Sequence, residues 1–434
     1  FYGGQAIRES AVLDKPAIGK RGVIEGYYGP ALPQEARMDI FSKMADFKMN
    51  YYLYAPKGSG AIVAAWMLPF SAKEVLDFRE MAEVGKKSHI TVCMEMHPSV
   101  LFHFSSEDDM EVLLSKYQVA LDAGINCLAL AFDDDTPALV PPDDKVYDSY
   151  HEAQLDFAVR IGEILRGDNP GLELIFVPVE YWSDHPDFDA KVEAIGKALP
   201  DYWQIGWTGN QVVSRTITLE DAENAAKVMK RKPLLGDNYP VADNAHKTGR
   251  VHLGPLVGRS ADLHEGLSAL AFNIMPLAYS SLPALLTEAD YAWNPDAYEP
   301  WHSMAMASHF LGGPGGYEAL QTLCQVNLGD MVHESWAPSL DALLEEYWSI
   351  VEQGDDPHGA AELAWHGAFM PFMEVLDVFA APGFYAPLAE ELRPWADKLT
   401  YYGEVGYMAV QVILNLQAGY DVANQIEDID EVEW

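Results

Sequence analysis

Basic residues are scarce in this chain. Lys and Arg number 28 against 66 Asp and Glu over 434 residues, a formal net charge of −38. Nucleic-acid backbones are gripped by Lys and Arg, so this balance argues against a nucleic-acid partner. The same field disfavours anionic membrane surfaces and polyanionic glycans, and it reads first as a solubility shell. No run of 18 uncharged apolar residues occurs, so no membrane-spanning helix is expected. Cysteine is rarer still. Cys93, Cys127 and Cys324 follow neither a CxxC nor a Cys/His metal spacing. Cys93 and Cys127 lie inside apolar runs and are expected to be small core residues. The opening FYGGQAIRES has no charged and apolar leader, so no signal peptide is visible. A cytoplasmic chain is expected, with export after leader cleavage as the alternative.

What the chain does have is a repeated alternation. Apolar, β-branched and aromatic runs begin at Arg21, Met49, His89, Cys127, Glu173, Trp203, Pro233 and Ala269. Several of the stretches between them carry helical spacing, as with Met38, Phe41, Met44 and Phe47. Eight strand–helix units over ~250 residues predict an α/β fold, a (β/α)8 TIM-like barrel. Near-continuous apolar strands fit a parallel sheet covered on both faces. Beyond Ser280 no strand pattern follows, and long helical stretches appear between Gly/Pro clusters such as FLGGPGGYE. The expected domains are an N-terminal extension (1–18), a catalytic barrel (19–280) and an all-α C-terminal domain (281–434). The acidic tail DVANQIEDIDEVEW is expected to be exposed and partly mobile.

Chemistry in such a barrel sits at the carboxyl ends of the strands. The residues there include Glu25, Gly26, Tyr28, Lys57, Glu95, His97, Asp133, Asp134, Asp135, Glu180, Tyr181, Trp207, Asp237, Asn238, Asp243 and Asn273. The set is rich in carboxylates, amides and aromatic rings. It lacks a glycine loop for phosphate and a three-ligand metal cluster, so no cofactor or metal is expected. Aromatic rings pack on the apolar faces of sugars, and planar Asp and Asn groups hold paired hydroxyls, so the mixture points to glycoside hydrolysis. Most glycosidases flank the scissile bond with carboxylates from two places. Two consecutive aspartates fit that template poorly and fit substrate assistance better. There the sugar's own 2-acetamido oxygen attacks, one carboxylate orients the amide, and the other moves the proton.

The stretches RGVIEGYYGP, MNYYLYAPK, ALAFDDD, VPVEYW, WTGNQVVS, DNYPVAD, VHLGP and FNIMP carry a resemblance to family 84 of the glycoside hydrolases, the O-GlcNAcases and related β-N-acetylglucosaminidases. They keep the family's order and spacing across roughly Arg21 to Pro276. The resemblance implies that Asp133 orients and polarises the acetamido group and that Asp134 is the general acid/base. It implies substrate contacts at Gly26, Tyr28, Lys57, Tyr181, Trp207, Asp237, Asn238, Asp243 and Asn273. Asp135 stands where relatives have an apolar residue and receives no catalytic role. Gly236 stands where relatives commonly carry a tryptophan of the acetamido pocket. The run GSGAIVAAWMLPF after Lys57 lacks their charged residues, which bears on peptide contacts. The implied substrate is a GlcNAc-bearing glycoprotein or glycan, with peptide contacts open to the helical domain.

Plainer readings stand beside these. Asp133–Asp135 alone could be a solvated turn or a helix cap, and Lys57 a simple ion-pair partner. Glu95 and His97 read as barrel-top structure. Hydrolysis of a GlcNAc polysaccharide (chitooligosaccharide or hyaluronan) and a non-catalytic sugar-binding scaffold remain as alternatives.

Overall fold

Eight short apolar runs become eight strands: β1 (Arg21–Glu25), β2 (Tyr51–Tyr54), β3 (Thr91–Met96), β4 (Cys127–Ala131), β5 (Glu173–Val177), β6 (Trp203–Trp207), β7 (Leu234–Asp237) and β8 (Ala269–Asn273). All neighbours pair in parallel and β8 closes on β1, which makes the barrel. This computed structural model describes residues 14–99, 101–243, 249–329, 331–354, 356–379 and 381–422. The first 13 residues of the expected extension and the tail from residue 423 lie outside them.

Strand residues alternate between two environments, as period two demands. Val23, Met94, Leu128, Phe176 and Leu270 face outward into the large core beneath the helices. Leu53, Cys93, Cys127, Ala129, Ile175, Leu234 and Ala271 form a separate cluster inside the barrel. Helices α1 (Gln34–Asp46), α2 (Ala72–Lys87), α3 (Glu107–Asp122), α4 (Tyr150–Asp168), α5 (Glu193–Ala198) and α6 (Leu219–Met229) lie between the strands. Their starts are locally encoded. Ser71 with Glu74, and Thr218 with Asp221, form reciprocal capping boxes. Ser106 and Ser149 cap α3 and α4.

Two features depart from the sequence reading, and one agrees with it. Helix α7 (Leu282–Trp293) packs against β1 and β8, so the eighth β/α unit runs past Ser280. The Gly/Pro cluster at 310–318 punctuates the helices as expected: within Pro300–Gln325 two helices meet at a kink where Gly313 (φ 65°) is non-helical. Cys93 and Cys127 are buried core residues, but they are bonded to each other. They are register partners on β3 and β4 with side chains turned inward, 34 positions apart in sequence. Sequence spacing held no sign of that approach. Cys324 is a free, buried thiol, which burial pushes well up. The remaining elements among the described residues are helices, the last of them Ala386–Gln417.

Candidate active site

Inward-facing positions at the carboxyl ends of the strands enclose a cavity of about 520 Å³. Gly26, Tyr28, Lys57, Asp133, Asp134, Tyr181, Trp207, Asn238, Asp243 and Asn273 all line it. The exception is Asp237. Alternation along β7 turns Gly236 and Asn238 inward and Asp237 away. Arg259 holds Asp237 in a buried two-point ion pair, at 2.6 and 2.7 Å. The expectation that Asp237 contacts substrate is therefore corrected: it does not line the cavity.

Other strand-end carboxylates have basic groups beside them. Glu25 pairs with Arg37 at 2.8 Å, and Glu180 lies 2.9 Å from a His151 nitrogen. Asp134 differs. Its two oxygens accept hydrogens from two phenols, Tyr28 at 2.9 Å and Tyr181 at 2.8 Å. Burial, followed by the Asp134 charge and hydrogen bond, raises both tyrosines well above the ordinary phenol range. They therefore remain donors.

Consecutive residues of an extended strand point to opposite faces, yet Asp133 and Asp134 both line the cavity. The backbone shows how. β4 ends at Ala131, and Asp134 adopts a left-handed conformation (φ 65°) that turns its side chain back. Aspartate tolerates this region better than most residues, at a cost of about 1–3 kcal/mol. Asp135 then leaves the cavity. It accepts from the Tyr150 hydroxyl at 2.9 Å and lies 3.4 Å from His97 Nε2.

Lys57 sits beneath Asp133, almost wholly buried. Its ammonium bonds Asp133 at 2.9 Å, Glu95 at 3.2 Å and His97 Nδ1 at 2.7 Å. An ammonium only donates, so Nδ1 must accept and the His97 proton is assigned to Nε2, facing Asp135. Burial pushes the Asp133 carboxyl up, but the Lys57 charge and the ammonium hydrogen bond outweigh it. Asp133 is held below the usual carboxylate range. Burial dominates at Glu95 and raises it despite Lys57. The two carboxylates raise Lys57 against its own burial. Glu95, His97 and Asp133 also have the spacing of a three-ligand metal site. The Lys57 ammonium already occupies the centre of that group, so the donor set does not fit a resident metal. The ion-pair reading of Lys57 thus describes its geometry: it lines the cavity with its three donors directed to Asp133, Glu95 and His97.

On the opposite wall the polar groups form a chain. The Gly26 N–H donates to Asn273 Oδ1 at 3.1 Å. Asn273 Nδ2 donates to Asn238 Oδ1 at 2.9 Å, and Asn238 Nδ2 to the Val212 carbonyl at 2.8 Å. Asp243 accepts the Tyr28 N–H at 3.2 Å. Burial raises its carboxyl above the usual range; the Tyr28 N–H opposes this and Asp134 adds to it. Trp207 forms a buried wall, its indole N–H given to Ser183 at 2.9 Å. The outer lining includes Val212, Val213, Arg250, His252 and Met331. Val212, Val213 and His252 fall in the stretches WTGNQVVS and VHLGP, whereas no sequence signal marked Arg250 or Met331; Met331 comes from the helical part, far beyond β8.

A family model described as beta-N-acetylglucosaminidase matches residues 21–325. The protein O-GlcNAcases of Mus musculus and Rattus norvegicus are each 28% identical over 256 residues, 58% of this chain and 27% of theirs. The chain thus spans about a quarter of the length of these curated relatives. Among solved structures, a mutant of Thermobaculum terrenum O-GlcNAc hydrolase superposes with a TM-score of 0.87 at 24% identity, covering 96% of this chain and 88% of that one. At that identity the likeness speaks for the fold. Barrel, paired aspartates and a family match over most of the chain agree: it belongs to the β-N-acetylglucosaminidase family.

Proposed function

We propose that the chain is a retaining β-N-acetylglucosaminidase that removes terminal β-linked GlcNAc, from Ser or Thr of glycoproteins, by substrate-assisted catalysis. The observation that carries this reading is the turn at Asp134, which brings two consecutive carboxylates into one sugar-sized cavity. Asp133, kept ionised by Lys57, accepts the acetamido N–H and stabilises the positive charge that develops on the amide. The amide oxygen attacks the anomeric carbon while Asp134 gives a proton to the departing oxygen. The C–O bond to the aglycone breaks and an oxazoline forms. Asp134 then takes a proton from water, which opens the oxazoline from the face the aglycone left, so configuration is retained. Tyr181 and Tyr28 fix the Asp134 carboxyl during both transfers. Asn273, Asn238, Asp243 and the Gly26 backbone are the hydroxyl-holding side. The barrel carries the chemistry, and the helical part adds Met331 to the rim where a peptide would pass.

Aryl β-glycosides of GlcNAc, GalNAc and glucose, run side by side, test the amide's part. Turnover of the acetamido sugars with none of the glucoside is expected. Asp134→Asn should lose most turnover with a poor leaving group and less with a good one, whereas Asp133→Asn should fail with both. Both variants near wild type would sink the assignment.

No described helix is long and apolar enough to cross a membrane. For the compartment, the Cys93–Cys127 disulfide favours an oxidising one, hence the exported alternative over the cytoplasm.

A further inference from the structure

Asp135 follows the two proposed catalytic aspartates and does not line their cavity. It is nevertheless one end of a polar chain that reaches Asp133. Its Oδ2 accepts the Tyr150 hydroxyl at 2.9 Å, and its Oδ1 stands 3.4 Å from His97 Nε2. His97 Nδ1 accepts from the Lys57 ammonium at 2.7 Å, and the ammonium reaches Asp133 Oδ1 at 2.9 Å. The ends of the chain are held. His97 is buried, with its backbone N–H on the Ile62 carbonyl at 3.2 Å. Tyr150 opens α4 and packs edge-on against Phe104, ring centroids 5.1 Å apart. Burial, then the Asp135 charge and hydrogen bond, raises its phenol well above the ordinary range, so it stays a donor and fixes the carboxylate.

Neutral imidazole has two forms, and each finds an acceptor here. With its proton on Nε2, His97 donates to Asp135 and accepts from Lys57. With its proton on Nδ1, it faces Asp133 Oδ1, 3.4 Å away, the same oxygen that Lys57 holds. That second form sets an N–H against the ammonium and turns the Nε2 lone pair toward the Asp135 carboxylate. It also leaves one of the three Lys57 hydrogens without an acceptor in a buried site. Which form prevails is set by what the other nitrogen is offered. We propose that Asp135 is a positioning residue for the reaction: it holds His97 in the Nε2–H form, so that Lys57 keeps its bond to Nδ1 and stays seated on Asp133. The proposal rests on the reading of Asp133 as the group that orients the substrate's amide. Asp135 touches no substrate and acts through two intervening side chains. Without it, the Nε2–H loses its acceptor, and the Nδ1–H form loses one of its two repulsive contacts. The balance then tips toward a histidine that competes with Lys57 for Asp133.

The test joins kinetics on an aryl β-GlcNAc to NMR of the histidine ring nitrogens, with the His97 signals identified by their loss in His97→Asn. The parent enzyme should show His97 in the neutral Nε2–H form. Asp135→Leu should lower kcat by about tenfold or more with KM changed less than about threefold, since one hydrogen bond to a charged group corresponds to about 10- to 100-fold. The same variant should show the Nδ1–H form at His97. His97→Asn puts an amide oxygen where Nδ1 stands and has no ring to change form. In that background Asp135→Leu should therefore cost less than about twofold, whereas a role independent of His97 would leave its penalty whole. Should Asp135→Leu not fold, Asp135→Asn keeps the shape and removes the charge, and its loss in kcat should again come with the Nδ1–H form. An Nδ1–H His97 in the parent, kcat within about twofold of the parent in a folded Asp135→Leu, or a loss of kcat with the His97 form unchanged refutes this proposal alone. Inactivity of the parent on the aryl β-GlcNAc would overturn the glycosidase reading and this one with it.

Discussion

Replacing Lys57 with methionine keeps a stem of similar length and removes one charge. The ammonium stands 2.9 Å from Asp133 and 3.2 Å from Glu95, in a site almost closed to solvent. At an effective dielectric of about 20, the nearer contact alone represents about 6 kcal/mol of gross attraction. Removing one partner of a buried pair costs about 3–5 kcal/mol, because an uncompensated charge stays behind. The protein can escape that cost by taking up a proton. Lys57 is the largest influence opposing the effect of burial at Asp133. Without it, burial meets only weaker opposition and the Asp133 carboxyl rises. A carboxyl held low in the folded state adds stability that is present above its unfolded pKa and fades as pH falls through the folded value. The variant forfeits that contribution, and its catalysis should fail at a pH where the wild type still works. The expected result is a loss of about 100- to 1,000-fold in kcat/KM on an aryl β-GlcNAc, the range for one preorganised electrostatic group. The acidic limb of the pH–rate profile should also move to higher pH. Activity within about threefold of wild type, with the limb unmoved, would refute the claim that Lys57 keeps Asp133 ionised.

Tyr181→Phe removes one of two phenol hydrogen bonds to Asp134 and should cost about 1.5–3 kcal/mol in kcat, read most clearly with a poor leaving group. Tyr28→Phe should cost less, since that ring is half exposed. Arg259→Met strands Asp237 with both side chains buried. Its urea midpoint should report about 3–5 kcal/mol lost, with most recovered in the Arg259→Met/Asp237→Leu double variant. Cys93→Ala/Cys127→Ala opens a covalent loop of 34 residues and should cost about 4 kcal/mol by loop-closure entropy. Alkylation without reductant, followed by mass measurement, should find only Cys324 modified after unfolding of the parent chain.

Strand positions were legible because each run between Arg21 and Asn273 is apolar on both faces, and the parallel barrel buries both. α6 was harder to see, since two of the three side chains it buries, Ala222 and Ala225, are small, with Met229 the third. Glycine and proline at 312–316 read as a break, and Gly313 is one: its non-helical backbone, close against Gly383, joins two helices at a kink. The site was legible as a set of strand-end residues, but not as a network. Nothing along the chain says that Asp237 turns outward to an arginine 22 positions later, or that Lys57 gathers Glu95 and His97 as well as Asp133. Such pairings depend on which strands become neighbours, and only closure of the barrel decides that. Gly236 was visible as a gap, and its place in the cavity wall was not, because a cavity belongs to several strands at once.

The left-handed backbone at Asp134 sets stability against activity at a single position. Glycine there would relax the turn and firm the fold by up to about 1–2 kcal/mol while removing the carboxyl proposed as the proton donor. Libraries screened only for heat resistance should therefore drift toward dead enzyme at this position. Asparagine, which shares aspartate's tolerance for that conformation, is the replacement that silences turnover while leaving the loop in place. It is the natural choice for a lectin-like reagent made from this barrel.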